Sequence, residues 1–279
     1  MSIPAIDSKA RIHFAGLLGQ HSLPLAEAAL AIAEEEYPDL DWQAYLRMLD
    51  ALAYRVDRIL PAVRRPAAAI IRSLKLVLTM EGFRGNEEHY YDPRNSFLNE
   101  VLDRKTGIPI TLCAVYIEVA RRLGIELQGV AFPGHFLVKY AAGERELFLD
   151  PFNAGEILTA EDCRDRYRTI APGRELDARL LEGVSSRQIL IRLLNNLKRV
   201  YVDAGDDVRA LWVIDRLLML SPGAPEERRD RGLVEARLGG INAAMKDLTA
   251  YLERAPAAPD AEDVASLLEE LRGRTQYLN

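Results

Sequence analysis

The sequence predicts an α+β chain: a helical N-terminal segment, then a small antiparallel sheet, then a C-terminal series of helix pairs. Three observations predict it. Apolar residues recur at three- and four-residue steps between Ile12 and Met80. Three short runs rich in β-branched and aromatic residues lie between Gly and Pro breaks within 126–150. The C-terminal third repeats itself with a period of 34 residues.

In the first segment Leu25, Ala28, Ala29 and Ile32 share a helical face, as do Leu46, Leu49, Ala53, Val56 and Leu60. Pro38, Pro61 and Pro66 punctuate these runs and give helices near 24–36, 41–60 and 67–80, with Asp39 or Asp41 as the N-cap of the second. The polar stretch 81–95 (EGFRGNEEHYYDPRN) reads as a loop in which His89, Tyr90 and Tyr91 pack locally or wall a cleft. Ser96 is expected to cap a short helix, FLNEVLDRK. Pro109, at a first-turn position, opens a helix that runs to Leu123 and stops at Gly124. The strands fall near 126–132, 135–140 and 146–150.

The repeat superposes Gly205 on Gly239, Ala210 on Ala244, Leu217 on Tyr251, Leu218 on Leu252 and Pro222 on Pro256. This is the period of the tetratricopeptide helix pair, with a small residue where two helices meet and a proline ending the second. Residues 187–274 read as two repeats and a closing half-repeat, Ala261 to Arg272. The domain organisation expected is therefore an N-terminal helical subdomain at 1–90, a mixed core at 91–180 and repeats at 187–279. Such arrays offer concave surfaces to chains, so the partner expected is a protein or peptide held by the repeats.

Composition excludes several function classes. With a net charge of −6 and no sustained basic stretch, nucleic acid is not an expected partner. Cys113 and Cys163 stand apart with no C-x-x-C spacing, and His13, His21, His89 and His135 form no H-x-x-x-H pair. No metal, no cofactor and no disulfide framework are expected. No apolar run approaches the roughly 18 residues that span a membrane, and the first thirty residues, with Asp7, Lys9, Arg11 and His13, lack a signal-peptide core. The expectation is a cytoplasmic chain with no membrane partner.

The stretch Gly107–Asn153 holds the chemistry-bearing residues. It presents a helix with Cys113, a strand opening on His135 and a strand closing on Asp150. Thiol, imidazole and carboxylate are the groups covalent cysteine catalysis needs. A four-residue loop, Ala141–Glu144, pairs Tyr140 with Arg145 and sets His135 opposite Asp150, with Cβ atoms about 4.5–5.5 Å apart. The same pair also serves as a structural tie between two strands. Cys113, on the second turn, shares a face with Ile110, Ala114, Ile117 and Ala120, a stripe of core character that favours a buried thiol. Thr111 and Ser96 are hydroxyl alternatives, Thr111 being explained by a backbone contact in the first turn. Cys163, in the charged run EDCRDRYR, reads as part of a solvated helix face.

The segments DPRNSFLNEVLDRKTGIPITLCAVYIEVARRLGI, GVAFPGHFLVKY and LFLDPFNAGEIL, followed by the repeats, resemble the bacterial SirB family of transglutaminase-like proteins. The resemblance implies a transglutaminase/papain-like core, in which a Cys at a helix start faces a His and an Asp on adjacent strands. His135 matches the histidine and Asp150 the aspartate. The Gly-x-Cys position of the nucleophile corresponds to Gly107-Ile108-Pro109, so proline stands there. Cys113 lies one turn, about 5.4 Å, deeper.

The function expected is therefore that of a noncatalytic, regulatory transglutaminase-like protein that acts by protein–protein interaction through its repeats and a remodelled cleft. The alternative is a thiol-dependent amide hydrolase or acyl transferase using Cys113, His135 and Asp150. A third reading keeps His135 and Asp150 as an acid/base pair without a covalent intermediate.

Overall fold

The helix Pro109–Arg122 is the axis of the first half of the molecule: residues from Pro109 through Val115, with Tyr116, Val119 and Ala120, are all buried. A helix apolar on every side belongs in an interior, and the rest of this half is arranged around it. The computed structural model describes residues 8–63, 65–142 and 145–276. The chain divides into two compact units, one of Lys9–Leu193 and one built mainly from Leu194 onward.

The first unit begins with α1 (Lys9–Leu18), α2 (Leu25–Ala33), α3 (Trp42–Ile59) and α4 (Ala67–Met80). Three of these match the helices read from the sequence. The additional one, α1, buries Ala10, Phe14 and Leu17 at helical spacing. Asp41 is the N-cap of α3, its side chain accepting from the Ala44 N–H. A short parallel pair follows, β1 (Arg84–Gly85) with β2 (Thr106–Gly107). Between its strands lie a 3-10 turn at Pro93–Ser96 and α5 (Leu98–Arg104).

Ser96 does not cap α5. It is the buried last residue of the 3-10 turn, and the N-cap of α5 is Phe97, which makes no side-chain capping bond. The capping carboxylate acts earlier, with Asp92 accepting from the Arg94 N–H. The central helix is α6 (Pro109–Arg122), with Pro at its first turn and Gly124 beyond its end at φ +75°.

Five antiparallel strands form the sheet: β3 (Gln128–Val130), β4 (Leu137–Ala142), β5 (Arg145–Asp150), β6 (Glu156–Leu158) and β7 (Gly183–Val184), in the spatial order β6-β5-β4-β3-β7. The register corrects the expected hairpin. Ala142 pairs with Arg145 and Tyr140 with Leu147, so the ladder continues two residues further toward the turn on β4 than a four-residue loop allows. His135 precedes β4 and does not lie opposite Asp150.

Helix α7 (Ala160–Ile170) opens on a capping box between Thr159 and Asp162. Cys163 also departs from expectation. It is fully buried, packed with Val130, Phe132, Leu137, Phe148, Leu158 and Leu181. With Ala160 and Tyr167 of the same helix, the thiol makes the face of α7 that packs on the sheet. Helix α8 (Ser186–Asp203) contributes its residues up to Leu193 to this unit.

The second unit continues with α9 (Asp207–Leu220), α10 (Pro225–Arg237), α11 (Ile241–Arg254) and α12 (Ala261–Gln276). The helices alternate as the 34-residue repeat requires. Ala210 and Ala244 are both fully buried, as expected of the small residues at which helices approach. Ala244, Leu248 and Tyr251 of α11 pack with Val264, Leu268 and Leu271 of α12. Among the described residues, no helix is long and apolar enough to cross a membrane.

Candidate functional site

The segment between β5 and β6 places the carboxylate. Asp150 ends β5, and Pro151 starts a single 3-10 turn to Asn153. The Asp150 carboxylate is completely buried and fully engaged. Its Oδ1 accepts from His135 Nε2 at 2.8 Å and from the Asn153 backbone N–H at 3.3 Å. Its Oδ2 accepts from Asn153 Nδ2 at 2.8 Å and from Arg166 Nη1 at 2.7 Å. Burial by itself would raise the carboxyl pKa. The bonds from His135, Asn153 and Arg166 outweigh it and hold the pKa down at about 2.

His135 sits in the turn before β4, its backbone N–H donating to the Phe132 carbonyl at 3.0 Å. Its side chain is 20% exposed. An ionised Asp150 only accepts, so Nε2 carries the proton and Nδ1 is left as the basic nitrogen. The Phe152 ring stands edge-on to the imidazole at 5.8 Å, and Tyr90 packs against Phe152 at 6.2 Å. Gly85 on β1 makes room for that ring: a Cβ there would fall 2.6 Å from Phe152. The exposed Tyr90 thus packs onto the ring that faces His135. His89 is also exposed, its backbone N–H bonding Asn86 Oδ1.

The loop carrying Tyr90 is pinned from below. Asn95, fully buried, donates to the His89 and Tyr90 carbonyls and accepts from Asn86 and Arg104. The Thr111 hydroxyl donates to the Asn95 carbonyl at 2.6 Å, with the Ile108 carbonyl 3.0 Å away. This backbone role accounts for Thr111.

Cys113 has no exposed surface. Its thiol donates to the Phe136 carbonyl at 3.5 Å, and that bond is not to the imidazole. Burial raises the thiol pKa well above its ordinary value, and the negative Asp150 raises it further. Activation of a cysteine needs a cation or a helix N-terminus beside the sulfur; here the neighbouring charge has the opposite sign. Pro109 occupies the first position of α6.

The structure therefore joins His135 to Asp150 and seats Cys113 in the core beside them. The sequence reading did not anticipate Asn153, Arg166 or Arg192. Asn153 follows Asp150 at the spacing of a side-chain-capped turn, a legible signal. Arg166 and Arg192 carried none, because both reach the site from distant helices. Arg192 on α8 donates to the His135 carbonyl at 3.1 Å. Among the described residues, no cluster of His, Cys, Asp and Glu is placed to hold a metal ion.

A family model described as transglutaminase-like superfamily matches residues 43–195. The chain belongs to the transglutaminase-like superfamily. A tetratricopeptide repeat model matches residues 197–269, and such repeats generally mediate protein–protein contacts. The chain is similar to a UPF0162 protein of Xylella fastidiosa, 40% identical over 254 residues that cover 90% of each chain. It is also similar to a UPF0162 protein of Pseudomonas aeruginosa, at 36% over 218 residues, covering 77% of this chain and 79% of that one. A shorter likeness, 34% over 123 residues, joins 41% of this chain to 19% of the mouse F-box only protein 21. The transglutaminase-like match includes α6, the His135 turn and Asp150.

Proposed function

We propose that this transglutaminase-like protein is noncatalytic and regulatory, of the SirB kind, and works in the cytoplasm by holding a protein or peptide partner. The repeats supply the main interaction surface, and the cleft at His135 and Asp150 recognises a ligand without cutting it. Nucleic acid, membrane and resident cofactor have no part in this reading. The observation that carries it is the state of Cys113: fully buried, hydrogen-bonded to the Phe136 carbonyl, and with its thiol pKa driven up. The proline at the start of α6 adds support, because the resemblance puts the nucleophile of catalytic relatives there.

A thiol-directed alkylating probe tests the reading on the folded protein. Cys113 is expected to stay unmodified until the chain is unfolded in urea. Rapid labelling of Cys113 in the folded state, lost in His135→Ala, would overturn it.

The second reading, a thiol-dependent amide hydrolase or acyl transferase with Cys113, His135 and Asp150, is favoured by one observation. The 2.8 Å bond between His135 Nε2 and Asp150 leaves Nδ1 as a base. The same labelling experiment decides between the two.

A further inference from the structure

We propose that Arg192, with His135 and the Tyr90–Phe152 ring pair, forms a binding site for a carboxylate that has an apolar group beside it. This rests on the reading of the cleft as a recognition site and names what it recognises.

The argument starts from charge. Other half-buried arginines of this unit are neutralised by carboxylates: Arg104 by Asp92 and Glu100, Arg122 by Asp50 and Glu118, and Arg166 by Asp150 and Glu156. Arg192 is different. Among the described residues its contacts are the His135 carbonyl at 3.1 Å and the face of the Phe136 ring at 5.5 Å, but no carboxylate; the Tyr90 phenol acts on it electrostatically. Burial pulls its pKa down, the signature of a cation taken from water without a counterion. A cation in that position is stabilised by an anion brought from outside.

Nearby, Asp150 and Glu156 share Arg166, and Lys139 is paired with Glu146. Among the described residues Arg192 has no carboxylate of its own, and a single ligand carboxylate matches that one guanidinium. Among the described residues one hydrogen bond is made by the Arg192 guanidinium, from Nη2 to the His135 carbonyl, and its planar fork has the geometry that a carboxylate accepts from. The Phe152 ring borders the His135 imidazole, and Tyr90 packs against Phe152, so the residue whose carbonyl Arg192 holds also carries apolar ring surface beside it. Two sources carry this chemistry, the C-terminal carboxylate of a peptide and a free aryl or alkyl acid.

The test uses the full chain and N-acetyl-L-phenylalanine, with its amide as control. Binding is read from the His135 ring resonances by NMR. The acid is expected to shift them saturably, and the amide, which lacks the charge, to bind at least about tenfold more weakly. Arg192→Gln is expected to lose about the same factor and Arg192→Lys less. Hydrocinnamate, which lacks the peptide group, assigns the source: weaker binding than the acetylated amino acid indicates a chain end, and equal binding a free acid. Equal affinity for acid and amide, no shift up to about 10 mM of any probe, or full affinity in folded Arg192→Gln would overturn the proposal. So would tighter binding of inorganic phosphate than of either acid. Where Arg192→Gln fails to fold, the acid–amide comparison on the unaltered protein decides alone. Failure here with an unreactive Cys113 removes only this inference, whereas His135-dependent labelling of Cys113 removes the noncatalytic reading itself.

Discussion

The His135 imidazole and the Asp150 carboxylate meet at 2.8 Å from positions that are not opposed in the sheet. His135 reaches Asp150 from the turn before β4, and Asp150 is held from its other side by Asn153 and Arg166. The pair is thus part of a four-donor arrangement that fixes a buried negative charge, and its removal has consequences at several levels.

The first consequence is acid sensitivity. Folding lowers the Asp150 pKa from its usual 3.8 to about 2, a difference equivalent to about 2 kcal/mol. A depressed carboxyl stabilises the fold above the unfolded pKa, and that contribution is lost as pH falls through the window from about 4 to about 2. Asp150→Asn is expected to lower stability by at least about 2 kcal/mol at neutral pH, and the gap to the unaltered protein should narrow across that acid window. Urea unfolding followed by circular dichroism at a series of pH values checks both the size and the direction.

Arg166 bridges Asp150 and Glu156 with charge-assisted bonds of 2.7 and 2.6 Å. Arg166→Gln is expected to cost about 1–3 kcal/mol, chiefly by leaving the buried carboxylate short of a donor. Combined with Asp150→Asn the loss should be less than additive, with a coupling of about 0.5–3 kcal/mol. A double-mutant cycle in urea measures it, and strict additivity would contradict the geometry.

Cys163 fills an apolar site between α7 and the sheet, and its burial pushes the thiol pKa up to about 11. Cys163→Ser is expected to cost about 1–3 kcal/mol by placing a hydroxyl in that site. In the unaltered protein at pH 8, an aromatic disulfide reagent should modify Cys163 only at the rate of opening, and urea should abolish the protection. A fast phase in the folded state would be inconsistent with the packing.

Gly85 lies against the ring that faces His135. Gly85→Ala brings a Cβ to 2.6 Å from Phe152 and forces the ring to move, an overpacking cost of about 1–3 kcal/mol. The His135 ring protons should shift in the NMR spectrum, because Phe152 stands edge-on to them. An unchanged His135 spectrum would mean that the ring is not held by Gly85.

Much of the fold was legible because its signals are local. Pro109 and Gly124 delimit α6, Asp41 caps α3, and the paired alanines 210 and 244 mark the repeat. The errors are equally instructive. Ser96 is a competent cap, yet it is buried at the end of a 3-10 turn capped by Asp92, and α5 starts from Phe97 instead. Cys163 stands among charges in the sequence, yet with Ala160 and Tyr167 it makes the face of α7 that meets a core.

The sequence by itself determined the order of the elements, the repeat, the absence of cysteine at the start of α6 and the presence of His135 and Asp150 on one hairpin. Only the tertiary structure decided how that hairpin is used. Strand register is set by pairing along the whole ladder, and here it took His135 out of the ladder while leaving it in reach of Asp150. The charge state of the site depends on Arg166 from α7 and Arg192 from α8, residues 16 and 42 positions beyond Asp150. Electrostatics acts through space, so no spacing along the chain could announce that, among the described residues, Arg166 meets carboxylates and Arg192 meets a carbonyl and a ring.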